Sequence, residues 1–116
     1  MGILNNITDR FNASEFDVKG QMKVKTLKKA FKNSFGCTLR VYSGNKFAKE
    51  DYTLKRIRDK KNPGTGKEFK VRASWTVNEV ENIFHKSFGI RVQVSNKEDN
   101  ELAKNDLTLG EVKRNK

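Results

Sequence analysis

One stretch of this chain occurs twice. Glu15 to Val41 aligns without a gap onto Glu68 to Val94, at a constant offset of 53 positions, 68 against 15. Phe16/Phe69, Val18/Val71, Val24/Val77, Phe31/Phe84, Phe35/Phe88, Gly36/Gly89 and Val41/Val94 are identical, as are Glu15/Glu68 and Ser34/Ser87. A second block, Ala48 to Leu54, aligns onto Ala103 to Leu109 at an offset of 55, so the loop between the blocks is longer in the second copy. Positions kept in both copies are read as scaffold, and positions that diverge are where specificity can reside. The expected organisation is an N-terminal arm over 1–14, a first repeat over 15–61, a turn over 62–67 and a second repeat over 68–116. With 116 residues, the two halves are expected to share one core.

Apolar spacing assigns the elements of each copy. Glu15 to Lys19 and Glu68 to Ala73 alternate apolar and polar residues, the period of a half-buried strand. Val24, Leu27, Phe31 and Phe35 recur at three- and four-residue spacing, as do Val77, Val80, Phe84 and Phe88, so each copy predicts an amphipathic helix of about three turns. Thr76 and Glu79 stand at capping-box spacing, and Trp75 with Val80, like Met22 with Leu27, at the spacing of a hydrophobic staple. Gly36 and Gly89 then end the helices. Strands follow at Cys37–Tyr42 and Ile90–Ser95, and Thr53 to Ile57 and Thr108 to Val112 read as one capped helical turn each.

Two strand–helix–strand units in tandem predict an α+β domain, with one four-stranded sheet and both long helices on one face, a ferredoxin-like arrangement. The order helix, Gly, strand, Asp-x-Thr-Leu also fits β-grasp-like halves.

Charge is high and uneven. The net charge is +11. Residues 1–61 carry 15 Lys and Arg against 6 Asp and Glu, or +9, and residues 62–116 carry 10 against 8, or +2. Such a balance points to an anionic partner met mainly by the first copy. The single cysteine excludes an internal disulfide, and Met1-Gly2-Ile3-Leu4 runs straight into polar residues. The expectation is therefore no signal peptide, no membrane span and a cytoplasmic location.

Catalytic and metal-binding motifs are not found. Cys37 aligns with Ile90 and reads as a buried hydrophobe, while the lone histidine, His85, aligns with Lys32 on a polar helix face. One Cys and one His do not make a zinc site, and Gly64-Thr65-Gly66-Lys67 lacks the first glycine and the final Ser or Thr of a phosphate loop, leaving a solvated turn. No enzyme activity, cofactor, metal or small-molecule substrate is expected.

The candidate site is where the copies differ. Lys25, Lys28, Lys29 and Lys32 oppose the Leu27/Phe31 stripe, and their counterparts are Asn78, Glu81, Asn82 and His85. Lys23 and Lys25 fall where the second copy has its Thr76 cap and first turn. A cation there costs about 0.3–1 kcal/mol unless an anion offsets it, so exposed helix amides plus lysines would form a phosphate or carboxylate site. A later helix start, with Thr26 as cap, is the alternative. On a single sheet, Lys19, Arg40, Lys70, Arg72 and Arg91 would project from the face opposite the helices, with Tyr42 among them; arginines contact phosphates and stack on bases.

Lys25 to Lys29, Phe35 to Tyr42, Phe47-Ala48 and Thr53-Leu54, with Phe88-Gly89-Ile90 and Asn105 to Leu109, resemble a group of small bacterial proteins that also look doubled and have no assigned activity. The resemblance spans roughly residues 22–110, implies a shared fold, and brings no catalytic or binding residue with it.

The function expected is non-enzymatic, low-specificity binding of nucleic acid or another polyanion. The candidate residues are Lys23, Lys25, Lys28, Lys29, Lys32, Arg40, Tyr42, Arg72 and Arg91. The alternative is a protein-interaction module, an adaptor or inhibitor that binds an acidic partner protein.

Overall fold

The structure, a computed structural model, describes residues 15–114. The arm expected over 1–14 lies outside the described residues. The elements are β1 (Glu15–Val18), α1 (Val24–Phe35), β2 (Thr38–Ser43), β3 (Lys46–Phe47), α2 (Leu54–Ile57), β4 (Phe69–Arg72), α3 (Val77–Phe88), β5 (Arg91–Ser95) and α4 (Leu109–Arg114).

Both long helices start and stop where local chemistry demands. Thr76 caps α3, accepting the Glu79 amide while the Glu79 carboxylate accepts the Thr76 amide. Lys23 occupies the same position in α1 and makes no side-chain cap; the helix begins at Val24, not after Thr26. Gly36 and Gly89 end the helices at φ +66 and +63°, a left-handed conformation that costs a residue with a Cβ about 1–2 kcal/mol. Each helix buries a single stripe: Val24, Leu27, Phe31 and Phe35 in α1, and Val77, Val80, Phe84 and Phe88 in α3.

The fold is α+β, but the strands do not form the single four-stranded sheet expected of a ferredoxin-like arrangement. They make two antiparallel sheets, β1–β4 and β3–β2–β5. Corresponding strands of the two halves pair with each other: Phe16 faces Val71 and Val18 faces Phe69, while Leu39 faces Val94 and Val41 faces Val92. Asp17 faces Lys70 and Arg40 faces Gln93, each a pair of equivalent positions, so the β1–β4 and β2–β5 pairs are each symmetric about their centre.

The loops that follow β1 and β4 bond to the Asp-x-Thr-Leu segment of their own half. Residues 20–23, leading out of β1, pair with the Asp-x-Thr-Leu segment: the Leu54 amide donates to the Met22 carbonyl, the Lys55 amide to Gly20, and Lys23 bridges Thr53. The same bonds recur in the second half, from Leu109 to Trp75 and from Gly110 to Ala73, with Thr76 bridging Thr108. Those backbone groups are then unavailable to a continuous sheet.

The core lies where the helix stripes meet both sheets. Phe16 packs on Phe35 at 5.8 Å and 38°, and Phe69 on Phe88 at 5.8 Å and 39°, so the two halves bury the same ring pair in the same geometry. Leu39, Val41, Val92 and Val94 supply the other wall. Cys37 is buried beside them, and burial pushes its thiol up to about 12, against the opposing charge of Lys113.

The junction is a solvated turn, exposed over Gly64 to Lys67, and it is anchored through its backbone. The Thr65 and Gly66 amides donate to the Lys86 and Ser87 carbonyls at the end of α3, so the turn satisfies groups a helix terminus otherwise leaves open. Gly64 and Gly89 permit the contact, since a Cβ on either would lie 2.5 Å from the Ser87 carbonyl carbon or 2.0 Å from the Asn62 oxygen.

Candidate nucleic-acid interface

The first candidate surface is the lysine face of α1, and its charges are partly met from within the chain. Because the Val24 and Lys25 amides donate to the Tyr52 and Glu50 carbonyls, Glu50 and Asp51 are drawn over the helix N-terminus. Lys25 pairs with Asp51 at 3.0 Å and Lys28 with Glu50 at 2.8 Å. The Lys25 hydrogen bond, then its charge, holds the Asp51 carboxyl below its usual range. Lys32 reaches across to the Lys97 carbonyl at 3.1 Å. Lys23 and Lys29 are exposed. The first two helix amides are therefore committed to loop carbonyls, which corrects the expectation of an open anion site at this terminus.

The second surface is the outer face of the β3–β2–β5 sheet. Strand alternation sends Leu39 and Val41 into the core and turns Arg40 and Tyr42 outward. Tyr42 stands opposite Phe47 on one side and Arg91 on the other, so three side chains form one row across the sheet. The Tyr42 and Phe47 rings stack at 5.1 Å and 21°, and the Arg91 guanidinium sits 4.5 Å from the Tyr42 centroid, within cation–π range. The Tyr42 hydroxyl donates to Gln93 Oε1 at 2.7 Å, which fixes the ring. Phe47 remains 64% exposed at the sheet edge.

Arg40 is tied elsewhere. Its Nε donates to Asp99 Oδ1 at 2.7 Å and its Nη2 to the Asp99 carbonyl at 3.3 Å. The Ser95 hydroxyl also donates to that carboxylate at 2.6 Å, and Ser95 first, then Arg40, holds the Asp99 carboxyl below its usual range.

An open cavity of about 570 Å³ adjoins the end of the row. Tyr42, Arg91 and Gln93 line it together with Arg58, His85, Glu81 and Asp59. Burial raises the Glu81 carboxyl, opposed by a hydrogen bond from the Val94 backbone and by Arg91. Asp59 Oδ1 accepts the Lys61 amide at 2.9 Å. His85 is exposed on α3, and Arg58 follows directly after α2.

The nine candidate residues thus fall in three places. Lys23, Lys25, Lys28, Lys29 and Lys32 share the α1 face. Arg40, Tyr42 and Arg91 share the larger sheet. Arg72 is exposed on β4, opposite Glu15 in the other sheet, where Lys70 lies 3.5 and 3.6 Å from Glu15 and Asp17. The face that was to unite Arg40, Tyr42, Arg72 and Arg91 is divided because the strands make two sheets.

Phe47 and Arg58 were missed in the sequence. The signal for Phe47 was present: Gly44-Asn45 is a two-residue hairpin turn, which places Phe47 opposite Tyr42. Among the described residues, no helix is long and apolar enough to cross a membrane, and no group of three or more His, Cys, Asp or Glu is placed to hold a metal ion. Comparison with protein-family models, curated proteins and solved structures finds no match to this chain.

Proposed function

We propose that this protein is a non-enzymatic, low-specificity nucleic-acid-binding protein that engages its ligand through the outer face of the β3–β2–β5 sheet. The observation that carries this reading is the Phe47–Tyr42–Arg91 row in a chain of net charge +11. Phosphates are attracted by the charge excess, while an exposed aromatic face and a flat guanidinium suit bases. Lys23 and Lys29 add a second cationic surface on the α1 face. Lys25, Lys28 and Lys32 join it when phosphates replace their exposed carboxylate and carbonyl partners, an exchange that is inexpensive at the surface. A cytoplasmic location fits the single buried cysteine.

Fluorescence anisotropy with labelled oligonucleotides at about 50 mM salt tests the reading. If about five phosphates are neutralised, log K falls against log salt with a slope near −3.5 on single strands or −4.5 on duplex. Absence of binding to both DNA and RNA at that salt refutes it.

A second reading is an adaptor or inhibitor for an acidic protein. It is favoured by the position of Phe47 on the two-residue strand β3, which is an edge strand among the described residues and so a place for strand addition. A partner that survives nuclease treatment in an affinity pull-down would favour it.

A further inference from the structure

Resting on the nucleic-acid reading, we infer that the ligand is an unpaired strand, with one base stacked on Phe47 and a neighbouring phosphate seated in the cavity beside Arg91, Arg58 and His85. In a duplex both faces of every internal base are already covered by neighbours, so an exposed ring has nothing to stack against along the helix unless it is opened. An unpaired base offers its whole face, and the Phe47 ring, 64% exposed and backed by Tyr42, is a matching surface.

The row runs from that ring toward the cavity. Two inter-strand spacings, about 9.5 Å, separate β3 from β5, and Arg91 belongs to both the stack and the cavity lining. A strand whose base covers Phe47 therefore carries its backbone toward three nitrogen-bearing side chains. The cavity also holds two carboxylates, and each has a backbone partner: the Lys61 amide for Asp59 and the Val94 backbone for Glu81. A phosphate entering there meets the guanidinium groups of Arg91 and Arg58, whose geometry is suited to it. The phenyl ring of Phe47 carries no hydrogen-bonding group to read base identity, so stacking without strong sequence preference is expected.

The test compares a labelled oligothymidylate with a two-stranded duplex of matched charge that has no unpaired loop, using the full chain at about 50 mM salt. The single strand is expected to bind more tightly. Phe47→Ala is expected to weaken it by roughly tenfold to a hundredfold, a larger loss than the same variant shows with duplex. Arg58→Ala and Arg91→Ala should each weaken single-strand binding and make its salt slope shallower. Phe47 is exposed, so the variant keeps its fold, which circular dichroism checks. Equal affinity for the two probes with no effect of Phe47→Ala would overturn the unpaired-strand inference while the nucleic-acid reading stands. Displacement by polyglutamate as effective as by oligothymidylate would also overturn it, in favour of a general anion surface. Failure of both probes to bind would refute the nucleic-acid reading itself.

Discussion

Gly36 and Gly89 occupy equivalent helix ends with nearly equal φ, yet alanine should have very different effects at the two sites. At Gly36 a new Cβ meets only the Lys113 side chain, 3.2 Å away at Cγ, which can swing aside. The cost is the left-handed backbone alone, about 1–2 kcal/mol. At Gly89 the Cβ would lie 2.0 Å from the Asn62 carbonyl oxygen and 3.1 Å from the Pro63 Cα, both backbone atoms. The junction must move, and three bonds depend on its position: Thr65 to Lys86, Gly66 to Ser87 and Asp59 to Gly89. At about 0.5–1.5 kcal/mol each, their loss adds about 1.5–4.5 kcal/mol to the backbone strain, a total of about 2.5–6.5 kcal/mol. Urea unfolding followed by Trp75 fluorescence and far-ultraviolet circular dichroism reads the difference. In thermal melts each kcal/mol corresponds to a fall of about 4–8 °C. Gly36→Asn should recover part of the alanine loss, because Asn adopts the left-handed region more readily. Equal destabilisation by Gly36→Ala and Gly89→Ala would refute the argument that the junction packs on α3.

Other outcomes follow from the same contacts. Thr76→Ala removes the α3 capping box and should cost about 1 kcal/mol, whereas Lys23→Thr supplies α1 with a cap it lacks and should stabilise by a similar amount while weakening oligonucleotide binding; paired urea and anisotropy titrations check both. The buried Cys37 thiol keeps its proton up to about 12 when folded, while the unfolded thiol releases it near 9.0, so this contribution is present below pH 9.0 and lost as pH rises toward 12. Cys37→Ala should show a correspondingly smaller loss of urea midpoint across that range, and native protein should resist thiol reagents at neutral pH. Because β1 pairs with β4 and β2 with β5, a fragment ending before the junction should show no monomeric fold by circular dichroism and should gain structure when mixed with the complementary half.

Sequence alone determined the local half of this protein. The helix stripes, the glycine ends, the Thr76 cap and the inward-facing Leu39, Val41, Val92 and Val94 all follow from contacts a few residues apart, and α+β follows from them. The burial of Cys37 was legible because Ile90 occupies the same place. Tertiary structure decided which strands are neighbours, because alternation tells a strand which face to bury and says nothing about which edge it joins. Here loop residues 20–23 bond to 52–55, and like strands of the two halves pair instead. The same limit applied to the candidate site. Lysine spacing predicted a cationic face on α1, but the nearness of Glu50 and Asp51 depends on loop amide bonds more than twenty residues away in sequence. Charge can be counted along a chain, whereas its neutralisation, and the meeting of Phe47, Tyr42 and Arg91 in one row, are set by strand register.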